Sequence, residues 1–290
     1  KNKKGTVVIT HNFKSFYPRF LCGNFKNNLS AVMLTHSYYD LNDKFWLNPN
    51  KEIFYDSITT FPYFAKDKLN NEITIYPNFI KKKNFCLRTQ LLDSEGNIVF
   101  EKDLLFLDKN LKKVMHINYN KILKDVIFDE NLTYFIKLII VSKEGVPTRF
   151  KIGYNLSSSN KNTHPTNICF NSYPPSLAFV SKVGTFRWCP LIDYQNSIIC
   201  LSNINYLKKD FKDANIIMRI WGPESNKFIK RKIFIKNNGN IFLNFKKDEK
   251  IKKLIKNKNG WITFESDNPF LNGFYFTISP KGYIGGDHIF

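Results

Sequence analysis

The sequence predicts an all-β fold: two tandem antiparallel β-sandwiches of jelly-roll-like form, built from an internal repeat, with an N-terminal segment packing on the C-terminal domain. Three observations predict it. From residue 72 onward, short apolar-alternating runs recur at roughly ten-residue intervals, separated by turn signals. The same order of runs and turns returns in the second half. A polar stretch at residues 157–165 (SSSNKNTHP) lies between the halves, as an interdomain linker would.

In chain order, residues 6–10 (TVVIT) and 29–35 (LSAVMLT) read as strands, each running into a histidine, His11 and His36, followed by a polar residue and an aromatic. Residues 41–72 show no period and read as a long excursion, pinned by Trp46 and the Phe-Pro-Tyr-Phe at 61–64. Strands are then expected at 72–76, 85–92, 98–106, 113–119, 133–141 and 147–154, with turns at 93–97 (DSEGN) and 143–145 (KEG) and a helical turn within 121–130. After the linker, strands are expected at 197–202, 215–221, 227–236 and 240–245. A Lys-faced helix at 246–258 follows, with Ile251, Leu254 and Ile255 on one side. The chain then runs into a hairpin within 261–290, whose inner strand at 273–279 reads as buried and whose last strand carries Asp287 and His288 behind Gly285 and Gly286.

Laid over each other, residues 84–88 fall on 215–219, so that Arg88 meets Arg219. Residues 104–106 fall on 233–235, 73–78 on 199–203, and 134–136 on 274–276. The expected division is residues 1–60 as N-terminal strands and a long loop, 61–156 as the first sandwich, 157–172 as linker and 173–290 as the second sandwich.

The net charge of +20 comes almost wholly from Lys, within a chain also rich in Asn, Ile, Phe and Tyr. Those are the residues of A/T-rich codons, whereas base and phosphate recognition favours the Arg fork. The expectation is therefore a solvated Lys surface with no specific nucleic-acid partner, and weak polyanion binding that disappears by physiological salt. The five cysteines form no C-x-x-C pair, which argues against a zinc finger or disulfide framework. No apolar run is long enough for a transmembrane helix. The chain is expected to be soluble, with no targeting segment visible; it begins at Lys, so its compartment stays open.

Two classes of function fit. One is a non-catalytic binding or structural module, associated with a glycan, a protein or a surface, in which the loop aromatics Tyr38, Tyr39, Trp46 and Trp188 stack on the ligand. The other is a metal-dependent enzyme in which His11, His36 and His288 converge, with Asp40 or Asp287 beside them, on a divalent metal such as zinc. No G-x-S-x-G elbow, phosphate-cradling loop or dinucleotide fingerprint occurs, and no catalytic residue is assigned.

Overall fold

The structure, a computed structural model, describes residues 21–25, 32–36, 45–47, 55–66, 69–76, 85–106, 114–142, 145–147, 150–158, 163–172, 184–204, 212–224, 226–256 and 258–290. In chain order the first elements are β1 (Leu21–Phe25), β2 (Val32–His36), β3 (Phe45–Leu47), β4 (Tyr55–Tyr63), β5 (Leu69–Ile75), β6 (Phe85–Asp93), β7 (Ile98–Phe106) and β8 (Met115–Asn118). There follow α1 (Tyr119–Ile122), β9 (Tyr134–Ser142), β10 (Gly145–Pro147), β11 (Phe150–Ser158) and β12 (Ile168–Ser172). The rest comprises β13 (Thr185–Leu191), β14 (Ser197–Asn203), β15 (Ala214–Trp221), β16 (Phe228–Ile235), β17 (Asn240–Asn244), α2 (Glu249–Ile255), β18 (Gly260–Ser266), β19 (Leu271–Ile278) and β20 (Ile284–His288).

Sixteen of these strands form four antiparallel four-stranded sheets: sheet I, β4-β9-β6-β7; sheet II, β12-β11-β5-β8; sheet III, β13-β18-β15-β16; and sheet IV, β17-β14-β19-β20. The fold is all-β, with two sandwich-like pairs. Each sheet is open, so the jelly-roll form expected from sequence is not what these strands build. Matching β4 with β13, β5 with β14 and so on in order, with β10 (which pairs with β3) set aside, carries sheet I onto sheet III strand for strand. It also carries sheet II onto sheet IV read from its other edge. Arg88 on β6 and Arg219 on β15 then take equivalent places, each flanked by a following hairpin strand and by a later strand. One sequence match slips: β9, which holds residues 134–136, is topologically the counterpart of β18, not of β19. Alternation alone cannot tell neighbouring strands apart; their hydrogen-bond partners do.

Strand periodicity decides what is buried. In the first pair, Phe61, Leu87, Leu91, Ile136 and Leu138 from sheet I meet Ile73, Ile75, Tyr154 and Leu156 from sheet II. In the second, Leu191, Ile216, Met218, Ile262 and Phe264 from sheet III meet Ile199, Leu201 and Leu271 from sheet IV. Sheet IV is apolar on both faces. Ile199, Leu201, Leu243 and Tyr275 face the second core, while the alternate residues Cys200, Phe242, Phe274 and Phe276 join the first. Phe274 and Phe276 pack edge-on against Tyr154, and Phe64 lies against both Phe242 and Phe276. The first core is therefore shared by both halves, and sheet IV is the layer between it and the second core.

α2 starts where Asp248 caps the backbone N–H groups of Lys250 and Ile251, and it ends at Lys256 in the left-handed conformation. It buries Ile251 and Ile255, as the spacing predicts.

Two placements differ from expectation. β11 runs to Ser158 and β12 occupies part of the stretch read as linker, because residues 168–172 complete sheet II against β11. The strand expected at residues 6–10 lies outside the described residues; among those described, β3 pairs with β10 of the first half and β1 with β2, and neither joins a sheet of the C-terminal domain.

Candidate docking face

Of the five residues proposed from sequence for a metal, the structure describes the side chains of Asp287 and His288. His11, Asp40, Tyr38 and Tyr39 lie outside the described residues, as do the side chains of His36, at the end of β2, and of Trp46, in β3 opposite Val146. His288 closes β20 opposite Phe274, whereas Asp287 sits opposite Tyr275, so the two start on opposite faces of sheet IV. The Asp287 carboxylate turns back to its neighbour, accepting the His288 backbone N–H at 2.8 Å and lying 3.8 Å from Nε2. Among the described residues no three His, Cys, Asp or Glu form a group that could hold a metal ion. This overturns the expectation of a divalent cation such as zinc: Asp287 and His288 start on opposite faces of the sheet, and among the described residues no third ligand meets them.

Thiol chemistry finds no support at Cys189. It is fully buried, and burial pushes its thiol up to about 12, far from the thiolate a nucleophile requires.

Trp188 leads to a different arrangement. On β13 its neighbours in parity are Phe186 and Pro190, and together these face away from the core formed by Cys189 and Leu191. The antiparallel register carries that outward face across sheet III in rows. Pro190, Trp261, Trp221 and Phe228 make one row; Trp188, Thr263, Arg219 and Lys230 the next; Phe186, Glu265, Ile217 and Lys232 the third. Phe234 follows opposite Asn215. Phe186, Trp188, Phe228 and Phe234 are 57, 44, 45 and 54% exposed, large values for aromatic rings. Trp221 and Trp261 lie parallel with centroids 6.1 Å apart, and Phe290 stacks on Trp188 at 5.2 Å.

The polar groups in the middle of this face are satisfied within it. Trp221 Nε1 donates to Thr263 Oγ1 at 3.0 Å, Arg219 pairs with Glu265 at 2.6 Å, and the Asn215 side chain donates to Asp267 at 2.8 Å. Lys230 and Lys232, exposed on β16, have no ion-pair partner among the described residues. Beyond the aromatic row, Lys227 pairs with Glu224, and Lys256 and Lys258 stand near enough to help hold the Glu224 carboxyl below its usual range, the Lys227 hydrogen bond being the main cause.

The matched face of sheet I is different. Its equivalent rows read Ile58, Ile139, Arg88, Asp103 and Thr60, Lys137, Gln90, Glu101. Arg88 grips Asp103 through Nε at 2.8 Å and through a second nitrogen at 3.2 Å, which holds the Asp103 carboxyl below its usual range. At the place of Asp103 the second half has Lys230, so Arg219 turns across to β18 instead. The two faces share their strand order and their arginine. On sheet I the arginine sits among charged and polar neighbours; on sheet III the Arg219–Glu265 pair sits among exposed aromatic rings and Lys.

A second polar array crosses the outer face of sheet II. Tyr76 Oη donates to Asn167, Asn167 to Asn155 at 2.7 Å, and Asn155 to Thr74 at 2.7 Å. The Thr74 hydroxyl and the Glu72 carboxylate both meet His116 Nδ1, at 3.2 and 3.1 Å. Gly153 leaves room for it, since a Cβ there would strike Asn167 and the Tyr76 hydroxyl. Every member already has a partner, and the array rigidifies the sheet. It also engages Asn155, whose N-x-S context is therefore no exposed sequon.

Sequence reasoning named Trp188 but missed its companions. A signal was present: residues 228–234 alternate Phe-Ile-Lys-Arg-Lys-Ile-Phe, which puts aromatic and Lys side chains on one face of a single strand.

Compared with known proteins, the chain matches no family model, no curated protein and no solved structure.

Proposed function

We propose that this protein is a non-catalytic docking module. Two like β-sandwiches, spanning residues 55–172 and 185–290 and descended from one duplicated unit, form a rigid support, and the outward face of sheet III binds a polyanionic partner. The contrast between the two matched faces carries this reading. A repeat that preserves strand order and the Arg88/Arg219 position, yet puts Lys230 at the place of Asp103 and surrounds it with exposed Phe and Trp and with Lys232, which like Lys230 has no ion-pair partner among the described residues, has specialised one face. Large exposed aromatic patches mark interaction sites. The shared core supports the rigid part, because the inward and outward residues of sheet IV belong to different cores.

The glycan association expected from sequence is less well supported on this face. Sugar recognition needs directed hydrogen-bonding groups beside the aromatic platform, and those of Arg219, Glu265, Asn215, Trp221 and Thr263 are already engaged with one another. The test is binding of the full chain to a panel of polyanions, namely heparin, an acidic protein and anionic vesicles, beside the variants Trp188→Ala and Lys230→Glu/Lys232→Glu. At least one probe is expected to lose binding with these variants. If every probe binds the variants as it binds the parent chain, the docking reading is wrong.

A further inference from the structure

We infer that the partner of the sheet III face is an anionic lipid bilayer surface. This rests on the docking reading above and adds the identity of the partner. Three features of the face separate a bilayer from other polyanions.

The first is the pairing of residue types. Phe228 and Phe234 flank Lys230 and Lys232 on β16, while Phe186 and Trp188 stand on the opposite edge strand β13. Aromatic rings settle at the headgroup level, and a Lys stem lies along apolar material while its ammonium reaches phosphate. Protein interfaces, by contrast, are depleted of Lys at their centres.

The second is the absence of directed polar reach. Arg219 is paired with Glu265, and Trp221 Nε1 is spent on Thr263, so the face offers apolar area and point charge rather than a hydrogen-bonding pattern. A fluid headgroup layer requires no such pattern.

The third is where the exposed aromatics stand. They occupy both edge strands of sheet III, so that rings from β13 and β16 can enter one planar surface together while Trp221 and Trp261 lie between them. Exposed Lys252, Lys253, Lys256 and Lys258, in and just after α2, add cationic groups in the same half.

The binding has two parts. Lys attracts the protein to anionic lipid and is screened by salt. The aromatic side chains then contribute burial that salt does not screen.

The experiment is flotation of the full chain with pure phosphatidylcholine vesicles and with mixed phosphatidylcholine–phosphatidylserine vesicles at physiological ionic strength, read together with Trp fluorescence and its quenching by brominated acyl chains. The expected result is binding to the mixed vesicles only, with a blue shift and quenching that are reduced in Trp188→Ala. Lys230→Glu/Lys232→Glu is expected to weaken binding about tenfold or more. Lys66→Glu/Lys102→Glu, which alters exposed lysines of the first half, should leave it unchanged. Circular dichroism of each variant confirms that it is folded.

Equal binding to both vesicle types, or binding without quenching, overturns the proposal. So does heparin that binds at physiological salt with the same dependence on Trp188 and Lys230 while vesicles do not bind; in that outcome the docking face stands and only its partner is wrong. If no probe responds to the face variants, both readings fall.

Discussion

The side-chain amide of Asn240, at the start of β17 in the second half, donates to the backbone carbonyl of Asp93, at the end of β6 in the first, at 2.7 Å. The same side chain accepts the Thr133 hydroxyl at 2.8 Å, just before β9. Asn240 is 3% exposed, and its backbone N–H reaches Ser94. One residue of sheet IV thus joins two strands of sheet I across the boundary between the halves, beside a Lys236–Glu95 ion pair.

Replacing Asn240 by Ala removes two hydrogen bonds across the boundary; the Asp93 carbonyl keeps the Gly96 N–H, and the part-buried Thr133 hydroxyl loses this acceptor. Each such bond contributes about 0.5–1.5 kcal/mol net. Asn240→Ala is expected to lower unfolding free energy by roughly 1–3 kcal/mol, measured by urea denaturation, with the two halves melting less cooperatively. A change below about 0.5 kcal/mol, within the range of ordinary surface substitutions, would contradict the role given to this side chain.

Gly96 sits under the same junction with φ +89, and a Cβ there would strike the Asn237 carbonyl. Gly96→Ala combines an unfavourable backbone conformation with a clash against main chain that cannot swing away. A loss of more than about 1 kcal/mol is expected. Gly285 provides the comparison: a Cβ added there would meet nothing within 4 Å, so Gly285→Ala should be close to neutral.

Phe276 is fully buried where sheet IV meets the first core. Phe276→Ala should cost about 3–5 kcal/mol, although the residue belongs to the second half by sequence. A fragment of residues 185–290 would bare Phe242, Phe274 and Phe276, and is expected to bind a hydrophobic dye and to aggregate. A monomeric, dye-silent fragment as stable as the whole chain would show that the shared core is not needed.

Lys151 on β11 is 5% exposed, and burial lowers its pKa from 10.5 to about 8. Between those values the unfolded chain binds a proton at this site that the folded chain has released, so stability rises with pH through that window; below about 8 the lysine is charged in both states and the penalty for burying it is present in full. The contribution is at most about 3 kcal/mol. Unfolding free energy measured from pH 7 to 10 should climb more steeply in the parent chain than in Lys151→Met. Above pH 10 the slope turns, because burial, helped by Asp287, raises Tyr275 to about 12, and the unfolded state alone loses that proton. Equal slopes for parent and variant between pH 8 and 10 would show that Lys151 is not the titrating group.

Much of the fold was legible because a strand's side-chain period is short and its turns have their own chemistry. The turn at 93–97 closes as its Asp, Gly and Asn foretell: Asp93 accepts the backbone N–H groups of Glu95 and Asn97, and Gly96 takes the positive φ. The Asn84–Arg88 and Asn215–Arg219 match led to the repeated strand order, since equivalent strands keep equivalent neighbours. The metal site was not legible in the same way. Two histidines after Thr and a third after Asp share a local context, but local context carries no information on convergence.

What the sequence by itself determined was parity: which residues of β15, β16, β18 and β19 share a face, and that β19 is apolar on both. What only the tertiary structure decided was the neighbour of each face. Phe274 and Phe276 could have met any apolar layer, and they meet the core of the other half. Phe186, Trp188, Phe228 and Phe234 come from strands far apart in the chain, and only the hydrogen-bond register of sheet III puts them on one surface with Lys230 and Lys232. Alternation is a local property of the backbone pleat. Register and layer order follow from contacts distant in sequence, and those are settled only when the whole chain has packed.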